Sequence, residues 1–160
     1  MADTQVRAAA PADYDELQQL RLLLWPDASG LEDESQVKAA LAGEPVGTLP
    51  TTTFVAEVDG TLVGFLEAGL RSHADGCDIQ QPVGYVEGWF VAEPWRSRGI
   101  STRLLAAAED WARRQGCKEM ASDALIVNEL SQRVHEALGF EVVDRCVHYR
   151  KAIAESQEPK

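Results

Sequence analysis

The sequence has 160 residues, enough for one domain around one core. Its 45% hydrophobic and 26% charged residues give an ordinary globular profile, and no apolar run approaches membrane-spanning length. The net charge of −11 makes nucleic acid a poor partner, because a phosphate backbone needs a basic footprint; it either suits a cationic ligand or only aids solubility.

Cys77, Cys117 and Cys146 have no metal-like spacing, and their odd number leaves one thiol over under any full pairing. His73, His135 and His148 are equally scattered. No metal and reduced thiols are therefore expected. The opening Met-Ala-Asp-Thr-Gln carries neither the basic nor the apolar region of a secretion signal, so the expected location is cytoplasmic.

Residues 4–9 read as a first strand. Tyr14, Leu17, Leu20 and Leu24 mark one helical face, and Pro26 ends that helix by Trp25. Trp25 thus stands at a helix exit, either as a core or lid aromatic or as a surface on which a ligand stacks. Residues 31–42 read as a second helix and 43–50 as a loop. Residues 52–58 and 62–71 flank Asp59-Gly60, a two-residue hairpin signal. Residues 72–82 form a polar loop.

The central stretch follows. Residues 85–91 are a strand in which Glu87 interrupts apolar neighbours and Gly88 suggests a bulge or a close backbone approach. A short turn, 92–95, leads to Arg96-Ser97-Arg98-Gly99-Ile100-Ser101 and a helix over 100–115, ended by Gly116. A strand feeding a basic, glycine-containing turn at a helix N-terminus suits an anion, since the first-turn N–H groups lack intrahelical partners. Residues 119–124 read as a short strand. Residues 128–138 read as a helix with Leu130, Val134 and Leu138 inward, and 141–152 as a last strand. Residues 153–160 read as a disordered tail. The order predicts a single α/β domain over residues 1–152. Its sheet is mixed, mostly antiparallel with parallel central strands, and has helices on both faces.

Arg96-x-x-Gly99-x-Ser101 resembles the acyl-CoA pyrophosphate loop of the GNAT N-acetyltransferases, whose pattern is Gln/Arg-x-x-Gly-x-Gly/Ala. Ser101 departs from it with a small hydroxyl. The element order is similar to that of the same family over residues 6–151. The resemblance implies acetyl-CoA as co-substrate, held where the central strands splay. Trp89, Phe90 or Val91 would offer free amides to the pantetheine arm and the carbonyl. Arg96, Ser97, Arg98, Gly99, Ile100, Ser101 and Thr102 would hold the pyrophosphate, and Asn128 would bond the arm. His135 takes the slot where many members carry a tyrosine near the sulfur. It is either an acid for the thiolate or a neutral packing residue, with Tyr149 as a second possible donor.

Acetylating an amine needs a base, because an alkylammonium is no nucleophile. Glu87 leads, with a structural strand glutamate as the alternative. Asp123, ending its strand, would bind the amine or share base duty unless it is a loop or cap residue. Trp25-Pro26, Gly76-Cys77-Asp78, Val86-Glu87-Gly88, the run from Gly116 to Asp123, Leu138-Gly139-Phe140 and Tyr149-Arg150-Lys151 together resemble type I aminoglycoside 6'-N-acetyltransferases. That resemblance implies drug contacts at Trp25, Glu87, Asp123 and Asp144, and a homodimer that sometimes exchanges its last strand. Other acceptors, a polyamine or a protein N-terminus, remain open, as does a CoA-binding sensor without turnover. No P-loop or Gly-x-Gly-x-x-Gly is present, which ranks other nucleotides low.

Overall fold

A computed structural model describes residues 3–27, 34–43 and 49–156. Five strands, β1 (Thr4–Ala8), β2 (Thr51–Val58), β3 (Thr61–Arg71), β4 (Val83–Val91) and β5 (Met120–Ser122), form one sheet in sequence order. The first three pairings are antiparallel, and β4 with β5 is parallel. The helices are α1 (Tyr14–Leu24), α2 (Glu34–Leu41), α3 (Ile100–Arg114) and α4 (Glu129–Ala137). The predicted start of the second helix and part of the loop after it lie outside the described residues.

The sheet separates two cores. Leu104, Leu105 and Ala108 of α3 pack on Phe54, Ala56, Val63, Leu66 and Val86. On the opposite face, Leu17 and Leu20 of α1 and Leu41 of α2 pack on Val55, Leu62 and Phe65. Strict alternation would put Val63 and Leu66 on different faces. A bulge explains why it does not: Ala56 pairs with Gly64 and Glu57 with Leu62, so Val63 is an extra residue. The Asp59-Gly60 hairpin forms as read, with φ of 49° and 80° at its two turn residues.

A carboxylate anchors the N-terminal corner. Asp13 accepts from Arg7 Nη1 at 2.7 Å and Nη2 at 2.8 Å, and from the Ala10 N–H at 2.7 Å. The Arg7 guanidinium holds the Asp13 carboxyl below its usual range. The fork ties β1 to the entrance of α1.

Two expectations fail at the C-terminal end. The strand expected over 141–152 does not form; residues 141–156 are exposed and without regular structure. The apolar pattern is real, with Val142, Val143, Val147, Tyr149 and Ile153 each more than half exposed. A strand needs a neighbour to pair with, and among the described residues the segment has none. Its described contact with the body is at the loop before β4, where a Cβ on Gly76 would come within 2.7 Å of Val143. Leu130 also points outward rather than inward, while Val134 and Leu138 are partly buried. Helix α4 therefore rests on the sheet by one edge only.

Candidate active site

The site grows from β4. Gly88 pairs with Glu67 and Val86 with Ala68, so Glu87 is the extra residue of a bulge. On its other side β4 pairs with β5 only through Gly84, Tyr85 and Val86. Beyond Val86 no strand pairs with that edge of β4 among the described residues, because β5 ends at Ser122. The bulge at Glu87 is the one expected from the Glu87-Gly88 pair, and the end of pairing with β5 is where the resemblance places the splay.

Gly88 has a local reason. A Cβ there would collide with the ring of Trp25, which lies against the strand from the exit of α1. Trp25 also touches Phe65, at 6.1 Å between ring centroids, and carries the Arg21 guanidinium 5.4 Å from its own. Arg21 in turn pairs with Glu67, the residue opposite Gly88. Trp25 is thus both a packing residue and a wall beside Glu87.

Glu87 is not bare. Arg71, at the end of β3, donates to it twice, Nε to Oε1 at 3.0 Å and Nη2 to Oε2 at 2.9 Å. The same guanidinium lies 3.5 Å from the ring centroid of Tyr85. The Tyr85 hydroxyl donates to Asp123 Oδ2 at 2.7 Å. A chain of four side chains, Glu87–Arg71–Tyr85–Asp123, therefore joins the two carboxylates singled out from sequence. Burial, and then the bond to Asp123, push the Tyr85 phenol far above its usual value, so it remains a neutral donor. Glu87, chiefly, raises Arg71 further and keeps it charged.

Sequence reasoning missed Arg71 and Tyr85. The sequence places Tyr85 only in a strand and Arg71 only at the end of a hairpin. The signal that could have found them is parity: Tyr85 and Glu87 share a strand face, and Arg71 follows from antiparallel pairing across the loop.

The basic turn has the geometry of an anion cradle. Ser97 and Gly99 both take left-handed conformations, φ 61° and 78°. The first intrahelical bond of α3 runs from Arg103 N to Gly99 O, so the amides of Ile100, Ser101 and Thr102 have no acceptor within the helix. Arg98 is exposed beside Trp95, 5.0 Å from the ring. Arg96 has another duty: its Nε donates to the Val91 carbonyl at 2.8 Å, bracing the turn against β4.

Asn128 caps α4, its Oδ1 accepting from Ser131 N at 3.1 Å. His135 is held at both nitrogens: Nδ1 donates to the Ser131 carbonyl at 2.7 Å, and Nε2 lies 2.7 Å from Ser122 Oγ. Trp89 and Phe140 meet its ring edge-on at 5.3 and 5.1 Å. The Trp89 indole N–H is buried without an acceptor among the described residues. Asp144 stands apart, on the exposed C-terminal segment, with its carboxylate turned to its neighbour's amide at 2.7 Å. Tyr149 lies on the same segment, 92% exposed. Among the described residues no group of three or more metal-ligating side chains is found.

The model of the family described as "Acetyltransferase (GNAT) family" matches residues 14–140. The chain belongs to that family. Among curated GNAT relatives, the aminoglycoside N(6')-acetyltransferase type 1 of Stenotrophomonas maltophilia is 39% identical over 153 residues, 94% of this chain and 95% of the relative. The enzyme of the same name from Salmonella typhimurium is 40% identical over 147 residues, 91% of this chain and 97% of the relative. Among solved GNAT structures, AAC(6')-Iy in complex with the bisubstrate analogue CoA-S-monomethyl-acetylneamine is similar at a TM-score of 0.79 and 36% identity, covering 94% of this chain and 99% of that one. AAC(6')-Ih from Acinetobacter baumannii follows at 0.78 and 29%, covering 95% and 100%. The five-stranded sheet that opens between β4 and β5 is thus the GNAT sheet, as the element order implied.

Proposed function

We propose that the protein transfers the acetyl group of acetyl-CoA to the 6'-amino group of aminoglycoside antibiotics such as kanamycin, and so confers resistance to them. The observation that carries this reading is the linked pair of carboxylates, Glu87 and Asp123, beside the flat wall of Trp25 and next to the opening between β4 and β5. A polyamino sugar offers several ammonium groups to such a cleft, and the net charge of −11 draws it in.

Acetyl-CoA supplies the thioester carbonyl and the thiolate that leaves. The residues present suit it. On the edge of β4 away from β3, the amides of Trp89 and Val91 face an extended arm, while Phe90, in step with the Ala92 N–H that donates to Val63, turns its own amide to β3. The turn from Arg96 to Thr102 offers helix N-terminal amides and Arg98 to phosphates, with Arg96 holding the turn in shape. Asn128 spends its oxygen on the helix cap and keeps its amide N–H groups to donate. The orphaned indole N–H of Trp89 is a buried donor that a ligand acceptor would satisfy.

Glu87 binds the incoming ammonium and takes its proton, directly or through water, while Asp123 holds a second amine. His135 Nε2 and Ser122 Oγ, 2.7 Å apart at the last paired residue of β5, would form a relay in which the imidazolium gives its Nε2 proton to Oγ as the Ser122 hydroxyl gives its own to the departing thiolate, leaving a neutral imidazole and an intact hydroxyl.

The partner of the C-terminal segment is a second copy of the chain. The segment exposes Val142, Val143, Val147, Tyr149 and Ile153, and among the described residues β5 pairs on one side only. In such a homodimer Asp144 would serve a cleft at the subunit boundary. A monomer mass by light scattering would refute the dimer. The three free thiols fit a reducing, cytoplasmic setting.

The deciding assay follows thiol release from acetyl-CoA with kanamycin, with an aminoglycoside bearing a 6'-hydroxyl, and with spermidine. Turnover of kanamycin alone is expected. Turnover of spermidine alone would replace the acceptor with a polyamine. CoA binding without any turnover would make the protein a sensor.

A further inference from the structure

The seat proposed for the substrate ammonium is already taken by a cation of the protein itself. Arg71 meets both oxygens of Glu87 at 3.0 and 2.9 Å and lies flat on Tyr85, 3.5 Å from its centroid. An ammonium cannot pair with Glu87 in the same way while that fork is in place. We infer that Arg71 is a displaceable gate, a guanidinium that the incoming amine must exchange for itself on Glu87 and that thereby selects multiply charged substrates. The inference rests on the amine-acetylating reading above.

Three features make the exchange feasible. Both side chains are more than a third exposed, 45% for Arg71 and 41% for Glu87, and water screens an exposed ion pair so that it is easily exchanged. The fork is therefore well shaped but loosely held. Tyr85 provides a resting place, because a guanidinium stacked on an aromatic face keeps part of its stabilisation when its hydrogen bonds are broken. Tyr85 is itself fixed by its bond to Asp123 at 2.7 Å, so the resting place does not move.

Selectivity follows from the count of charges. A ligand with one amine replaces two charge-assisted bonds from Arg71 with those of a single ammonium and gains little. A polyamine sugar anchored at Asp123 and against Trp25 presents its remaining amine to Glu87 at a high effective concentration, which drives the exchange. The gate thus admits polycations and discriminates against single amines that would otherwise fit the carboxylate.

The test compares kanamycin with methyl 6-amino-6-deoxyglucoside, a sugar with one amine, in the wild-type protein and in Arg71→Gln. Opening the gate is expected to lower KM for the monoamine about tenfold or more, and for kanamycin by a smaller factor. Methylguanidinium added to Arg71→Gln should refill the seat and inhibit competitively with the amine, while leaving the wild-type protein much less affected. Arg71→Lys, which keeps a charge but loses the fork, should fall between the two. A residue that merely orients Glu87 would behave oppositely: Arg71→Gln would raise KM or lower kcat for both amines and Arg71→Lys would restore them, which overturns the gate alone. Absence of turnover with both amines in the wild-type protein would remove the acceptor reading and the gate with it. As a check needing no variant, a kanamycin complex of the wild-type protein should show Arg71 detached from Glu87; an intact fork there overturns the proposal.

Discussion

Two arginine–carboxylate forks among the described residues have nearly the same shape in opposite settings. Arg7 and Asp13 bond at 2.7 and 2.8 Å with side chains 28% and 10% exposed, and Asp13 also takes the Ala10 amide. Arg71 and Glu87 bond at 3.0 and 2.9 Å with side chains 45% and 41% exposed. Shape alone does not tell structure from function. Burial and the count of additional partners do: the first carboxylate has no ready exchange with solvent, while the second can trade its partner for a ligand.

The largest effect should come from breaking the exposed fork on its acidic side. Glu87→Gln keeps the volume and removes the charge that seats the ammonium and accepts its proton. Loss of a positioned base costs about 10²–10⁴ in rate, so kcat/KM for kanamycin should fall at least about a hundredfold. Thermal stability should barely move, because the pair is exposed. Wild-type turnover in Glu87→Gln would end the role assigned to that residue.

Much of this was legible in the sequence, for local reasons. Asp59-Gly60 demanded a left-handed turn, and a left-handed turn forms there. Glu87-Gly88 implied a bulge, and the register slips at that point. Arg96-x-x-Gly99 implied an anion cradle, and Gly99 sits at φ 78° at the start of α3. What escaped depends on distant pairing. Arg71 and Glu87 are 16 residues apart and Tyr85 and Asp123 are 38 apart, joined only once the sheet registers are known. The segment after Phe140 failed for a different reason. Its apolar pattern states that it must be covered, but a pattern cannot state whether the covering strand belongs to the same chain.

The buried fork offers the smaller and cleaner measurement. Asp13→Asn removes the charge from a carboxylate that accepts three hydrogen bonds, and losing charge-assisted bonds costs about 2 kcal/mol, read as a shifted denaturation midpoint at neutral pH. The pH dependence gives the sign. Asp13 is depressed in the folded protein, first by its bonds to Arg7. The folded chain then keeps the carboxylate where the unfolded chain takes up a proton. The stability from this linkage is fully present above roughly pH 4, the ordinary aspartate value, and drains away as pH falls through the lower folded value. The gap between wild type and Asp13→Asn should therefore close on acidification. Arg71→Gln, measured in the same way, should cost no more than about 1 kcal/mol at neutral pH, the range for an exposed pair. If the two forks proved equally costly to break, the Arg71–Glu87 pair would be a structural tie like the first, too firmly held for a substrate amine to displace.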